Sequence, residues 1–109
     1  MTNYLRIARA VALNSPHPLF RHATLVFKGG KLLARGYNHD NIHSEQVALS
    51  KIWPNKRKDV VLLNVRLSKN GENLRNSKPC PNCQKFLEEF KISKVFYTDS
   101  DGNLLVERI

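Results

Sequence analysis

Cysteine is scarce in this 109-residue sequence: Cys80 and Cys83 are the only two, and at that separation they cannot close a loop large enough to stabilise a fold by cross-linking. Their value must be chemical. Long hydrophobic runs are also missing. The apolar stretch at residues 60–63 falls far short of the roughly 20 residues a bilayer-spanning helix needs, so no membrane partner is expected. The opening MTNYLRIARA lacks the basic, apolar, small-residue order of a secretory signal, which makes the cytoplasm the expected location. Acidic residues are few as well. Nine Asp and Glu stand against 18 Lys and Arg, a formal charge of +9, which favours anionic partners such as nucleic acid or nucleotide phosphate and says little about fold. With 41% hydrophobic residues, the length suits a single domain over residues 1–109 and leaves no room for a second catalytic one. No internal repeat or low-complexity tract is present.

Tyr4, Ile7, Ala8, Val11 and Ala12 recur at intervals of three and four, which predicts an amphipathic helix capped by Thr2 or Asn3 and ended by Pro16 and Pro18. ATLVF (23–27) and KLLARGY (31–37) flank Gly29-Gly30 and read as two antiparallel strands around a tight turn. Residues 43–53 carry Val47, Ala48, Leu49 and Ile52 in a helical pattern that Pro54 stops. NKRKD (55–59) reads as a solvated loop, and residues 60–67 as a buried strand. After a polar loop at 68–78, Pro81 opens a third helix with Cys83, Phe86, Leu87 and Phe90 on its apolar stripe. KVFYT (94–98) and NLLVERI (103–109) around Asp101-Gly102 predict a hairpin. This order implies an α/β fold, with about three helices covering one five-stranded mixed sheet.

His43-Ser44-Glu45 opens the second helix and Pro79-Cys80-Pro81-Asn82-Cys83 the third. Cysteines at i and i+3 share one helical face, and the positive end of the helix dipole favours their thiolates. One imidazole and two thiolates supply three ligands of the tetrahedron zinc prefers, leaving a fourth position for water. Glu45 can point into the same cleft without coordinating and move protons there.

On these motifs the sequence resembles the cytidine deaminase superfamily, whose zinc signature H-x-E…P-C-x-x-C is matched by His43, Glu45, Pro79, Cys80 and Cys83. It looks like the small CMP/dCMP-type deaminase domains of viruses and phages. The resemblance implies a three-layer α/β/α fold and one zinc ion per chain, held by His43, Cys80 and Cys83. It also implies a hydrolase that converts a cytosine nucleoside or nucleotide to the uracil form through Glu45 and releases ammonia. Gly36-Tyr37-Asn38 looks like the family's sugar-holding element, which makes Asn38 a substrate contact. By the same resemblance the Ser44 backbone N–H holds the base carbonyl, and the Lys78 carbonyl accepts from the exocyclic amine. Val47 departs from the Asn common at this position in deoxycytidylate deaminases. The direct hairpin at Asp101-Gly102 instead resembles the free-cytidine branch and some toxin and plant RNA-editing domains. Nucleotide metabolism is the implied setting, and homo-oligomers remain open.

Other readings stand beside this one. A closed structural zinc site would take a fourth ligand from His17, His22 or His39. A thiol redox pair would use Pro-Cys-Pro-Asn-Cys alone, but it leaves His43 and Glu45 unexplained. Cytidine or adenosine in single-stranded DNA or RNA is the alternative substrate. A degenerate domain that keeps zinc and only binds nucleic acid is a further reading, against which the intact Glu45 counts. Among single residues, Trp53 and Tyr97 are expected in the core, and Phe20, Arg21 and His22 either line a pocket or form an exposed loop. Asn64 and Arg66 share the face opposite Val61, Leu63, Val65 and Leu67 and receive no catalytic role. The cations run dispersed from Arg6 through Lys56-Arg57-Lys58 to Arg108 with no aromatic between them, which predicts a small substrate and a weak salt response.

Overall fold

The computed structural model describes residues 2–56 and 58–109; Arg57 of the basic run lies outside them. Helix α1 (Thr2–Ala12) starts at Thr2 itself, ahead of the cap expected there. Strands β1 (Arg21–Lys28) and β2 (Lys31–Tyr37) form the antiparallel hairpin around Gly29 and Gly30, both of which adopt the positive φ that makes glycine suitable in a tight turn. Helix α2 (Ser44–Ser50) leads through a short 3₁₀ turn to β3 (Val61–Leu67). A two-residue strand β4 (Leu74–Arg75) precedes α3 (Pro81–Glu89), and β5 (Lys94–Thr98) and β6 (Leu104–Arg108) close the fold as the expected hairpin.

The sheet has order β2-β1-β3-β5-β6, with β4 paired to β3 off this path. Strands β3 and β5 are parallel, as the helical crossover between them requires. The sheet is therefore mixed, with six strands instead of five. The extra strand was illegible because Arg66↔Arg75 and Leu67↔Leu74 are its whole register, and two residues carry no alternation.

Alternation along β1 and β3 sends side chains into two cores. Ala23, Leu25, Leu63, Val65 and Leu67 pack against Ala8, Val11 and Ala12 of α1, whose i, i+3, i+4 spacing makes that stripe. Val26, Leu62 and Val95 pack on the opposite face against Ala48, Leu49 and Ile52 from the second helical region and Leu87 of α3. Three layers result. Leu49 and Leu87 are wholly buried, and truncating either to Ala costs about 2–5 kcal/mol.

Trp53 corrects one expectation: it is 78% exposed. The second helix ends at Ser50 with Lys51 as its C-cap, so Trp53 leaves the apolar stripe before Pro54 and turns to solvent. Tyr97 is half-buried. Gly36 answers a close approach. A Cβ there would lie 2.7 Å from the Ala48 backbone nitrogen and 2.9 Å from Val47 Cγ1, so only glycine lets α2 settle on β2. Val47 packs on the sheet at this contact and does not line the cavity described next.

Candidate active site

Strands β2, β3 and β5 run in one direction; α2 follows β2, and α3 follows β3 after the short β4 that pairs with the end of β3, so both helices begin towards the carboxyl edge of the sheet, where α/β folds place their ligands. His43 is the N-cap of α2 and Cys80 the N-cap of α3, both with extended backbone, and Cys83 lies in α3's first turn. Ser77 pins the chain just before Cys80. Its hydroxyl donates to the Asn64 carbonyl at 2.8 Å and accepts the Thr98 N–H at 2.8 Å, bridging the middle of β3 and the end of β5.

His43 Nδ1 stands 3.1 Å from Cys83 Sγ, and the ligand atoms of His43, Cys80 and Cys83 all lie within 4.8 Å of one another. Tetrahedral zinc with bonds of about 2.0–2.3 Å needs ligand separations of about 3.5–3.8 Å, close to this geometry. Burial foremost, then the neighbouring Glu45 and Cys80, pushes the Cys83 thiol above its ordinary range. Here burial and like charge outweigh the helix dipole that favours a thiolate. A buried thiol facing a carboxylate and a second thiol calls for a cation to balance them, and the His/Cys/Cys donor set fits zinc.

The three histidines that could close the site lie outside this cluster while lining the same cavity. His17 Nδ1 accepts the N–H groups of Leu19 and Phe20 at 3.1 and 2.9 Å, and His39 Nδ1 pairs with Asp40 Oδ2 at 3.0 Å. His22 has its pKa lowered to about 4, by burial first and then by Arg66, His43 and His17.

The cavity measures about 600 Å³, within the usual range for a small-molecule site. Glu45 lines it beside the cysteines and is only 6% exposed. The Ser44 hydroxyl donates to Glu45 Oε1 at 3.1 Å and lies 2.8 Å from Thr24 Oγ1, which in turn donates to Asn64 Oδ1 at 2.7 Å. With Thr24's proton committed to Asn64, the Ser44 proton is shared between Glu45 and Thr24. The sequence signal for this buried chain was polar residues at Thr24 and Asn64 inside otherwise apolar strands, on the α2 side of the sheet.

Asn38 is also in the cavity wall. Its Oδ1 accepts the His22 N–H at 2.8 Å, its Nδ2 donates to the Phe20 carbonyl at 2.7 Å, and Ser15 Oγ lies 2.8 Å from its Oδ1. The second amide hydrogen is the one that can meet a ligand. Lys78 lines the cavity while its ammonium pairs with Glu107 at 3.6 Å. Of the three residues left between pocket and loop, Phe20 and His22 line the cavity and Arg21 does not.

The sequence model described as "Cytidine and deoxycytidylate deaminase zinc-binding region" matches residues 1–99. The chain belongs to this deaminase family. The crystal structure of dCMP deaminase from the cyanophage S-TIM5 in apo form superposes with a TM-score of 0.63 at 22% identity, covering 90% of this chain and 81% of that one. RibD of Acinetobacter baumannii gives a TM-score of 0.66 at 15% identity, covering 89% of this chain and 27% of that one. At such identities both likenesses speak for the fold. No curated protein sequence matches this deaminase-family chain significantly. No helix among its described residues is long and apolar enough to cross a membrane.

Proposed function

We propose that the chain, as one domain over residues 1–109, is a zinc-dependent hydrolytic deaminase that converts a cytosine nucleoside or nucleotide to the uracil form. The observation that carries this reading is Glu45 buried beside the His43, Cys80 and Cys83 cluster in one cavity. His43, Cys80 and Cys83 would hold one zinc ion. When bound, zinc supplies the Lewis acidity that activates water at neutral pH.

Glu45 takes a proton from the attacking water and delivers it to the ring nitrogen next to the amino-bearing carbon. It then takes the remaining proton from the hydroxyl added to the ring carbon and passes it to the amine as the carbon–nitrogen bond breaks, so that one water and the cytosine yield the uracil form and ammonia. The Ser44 hydroxyl orients the carboxylate, and the Ser44 backbone N–H holds the base carbonyl. The Lys78 carbonyl accepts from the exocyclic amine, and the remaining Asn38 amide hydrogen meets the sugar. Cys80 and Cys83 must stay reduced to bind metal, which fits a cytoplasmic setting.

Action on cytidine or adenosine within single-stranded nucleic acid is the second reading, favoured by Phe20, which is 48% exposed at the cavity mouth. Ammonia release from nucleosides, mononucleotides, single-stranded DNA and tRNA tests both readings. Glu45→Gln is expected to abolish turnover while zinc remains bound. Near-normal activity in that variant would overturn the mechanism, whereas no ammonia release by the wild-type protein from any of these substrates would leave a zinc-containing binding domain.

A further inference from the structure

Phe20 borders two hollows: the cavity described above and a second, more open one of about 780 Å³ walled by Arg66, Lys69, Asn73 and Arg75. The loop between β3 and α3 builds much of this second hollow. Scattered in the sequence, these cations meet because Arg66, next to the end of β3, pairs with Arg75 of β4. None of them forms an ion pair among the described residues: Arg75 donates to the Ser100 carbonyl at 3.0 Å, and Glu72, the loop's only acid, is absent from the hollow's walls. The Arg66 guanidinium lies 5.5 Å over the Phe20 ring. An aromatic residue therefore does stand among basic ones here.

Phe20 is also firmly held. His17 Nδ1 accepts its N–H at 2.9 Å, Asn38 Nδ2 donates to its carbonyl at 2.7 Å, and the His17 ring packs against its side chain with centroids 5.5 Å apart. A fixed backbone bearing an exposed ring suits a stacking platform, because little freedom is lost on binding. The cavity is large enough for one nucleoside, so the adjoining hollow is available to what is attached to it. Free positive charge next to a stacking surface matches the chemistry of a single strand, whose phosphates and base faces alternate.

We propose that the hollow is a subsite for a nucleotide flanking the one deaminated, with Phe20 stacking on its base and Arg66, Lys69 and Arg75 contacting its phosphates. This rests on the second deaminase reading above, action within single-stranded nucleic acid, and narrows its substrate to cytosine in a short single strand.

The test is a titration of zinc-loaded Glu45→Gln protein with a cytosine-centred single-stranded pentanucleotide and with cytidine monophosphate at several salt concentrations. The pentanucleotide is expected to bind at least tenfold tighter, with a log–log salt slope near −2, about −0.7 for each of three phosphates. Phe20→Ala should weaken pentanucleotide binding about five- to a hundredfold, and Phe20→Tyr should restore it. Lys69→Ala, at an exposed position, should flatten the slope by about 0.7. Equal affinity for the two ligands, or a slope unchanged in Lys69→Ala, would overturn the subsite. Ammonia release by the wild-type protein separates the two claims. Strand binding through the hollow with no deamination of any substrate supports the hollow as a strand-binding surface but overturns the deaminase reading and, with it, the hollow's role beside a deaminated base. Deamination of cytidine monophosphate with no preference for the strand overturns the subsite alone.

Discussion

Thr24 Oγ1 on β1 and Ser44 Oγ in the first turn of α2 stand 2.8 Å apart inside the layer between sheet and helix, so the sheet holds the hydroxyl that bonds Glu45. Thr24→Val keeps the shape but removes this anchor and leaves Asn64 Oδ1 without its donor. Stability should fall by about 1–3 kcal/mol. If Glu45 carries the chemistry, kcat should drop about tenfold, equivalent to roughly 1.4 kcal/mol, with KM little changed. Thr24→Ser should recover most of the loss. Steady-state kinetics of the two variants check this, and a purely structural role would leave kcat per folded, zinc-loaded molecule unaltered.

Zinc content follows from the cluster of His43, Cys80 and Cys83. One equivalent per chain is expected, and Cys80→Ser combined with Cys83→Ser should lose it. Because the Cys83 thiol is held above its ordinary range when no cation balances it, zinc must displace a proton there, and affinity should rise with pH. Metal analysis of the double variant and proton release during zinc titration are the measurements. Full zinc retention by the double variant would rule out this ligand set.

His22 gives a stability prediction with a definite sign. Its folded pKa of about 4 lies below the unfolded value of 6.5, so above pH 6.5 both states are neutral there and no penalty arises. Between 6.5 and 4 the unfolded chain takes up the proton first, and stability falls by up to about 3 kcal/mol. Urea unfolding of metal-free protein at pH 7 and pH 4.5 should show this decline. His22→Gln should have a shallower one.

Gly36→Ala should destabilise the fold by about 1–3 kcal/mol, since the added methyl would meet the Ala48 backbone nitrogen at 2.7 Å and force α2 off β2. Thermal unfolding measures the cost. Gly29→Ala offers a comparison at a site with nothing within 4 Å, where the penalty arises from its positive φ of 57°.

The elements that the sequence announced are those specified by neighbours along the chain. The stripe of Ala8, Val11 and Ala12 and the turns at Gly29-Gly30 and Asp101-Gly102 depend on local periodicity or local backbone freedom, and α1 and both hairpins formed where expected. His43, Cys80 and Cys83 were legible for the same reason: each sits at or near a helix start, and helix starts have local signals. What only the tertiary structure decided is which distant residues meet. Trp53 turned outward because its helix ended three residues earlier than its pattern, a balance between the apolar stripe and the capping at Lys51. Thr24 reached Ser44, and Arg66 reached Phe20 and Arg75, through strand register and the pairing of β4, which spacing along the chain does not encode. Local periodicity fixes which face a residue occupies, whereas the neighbours on that face are chosen by how the sheet and helices pack as a whole.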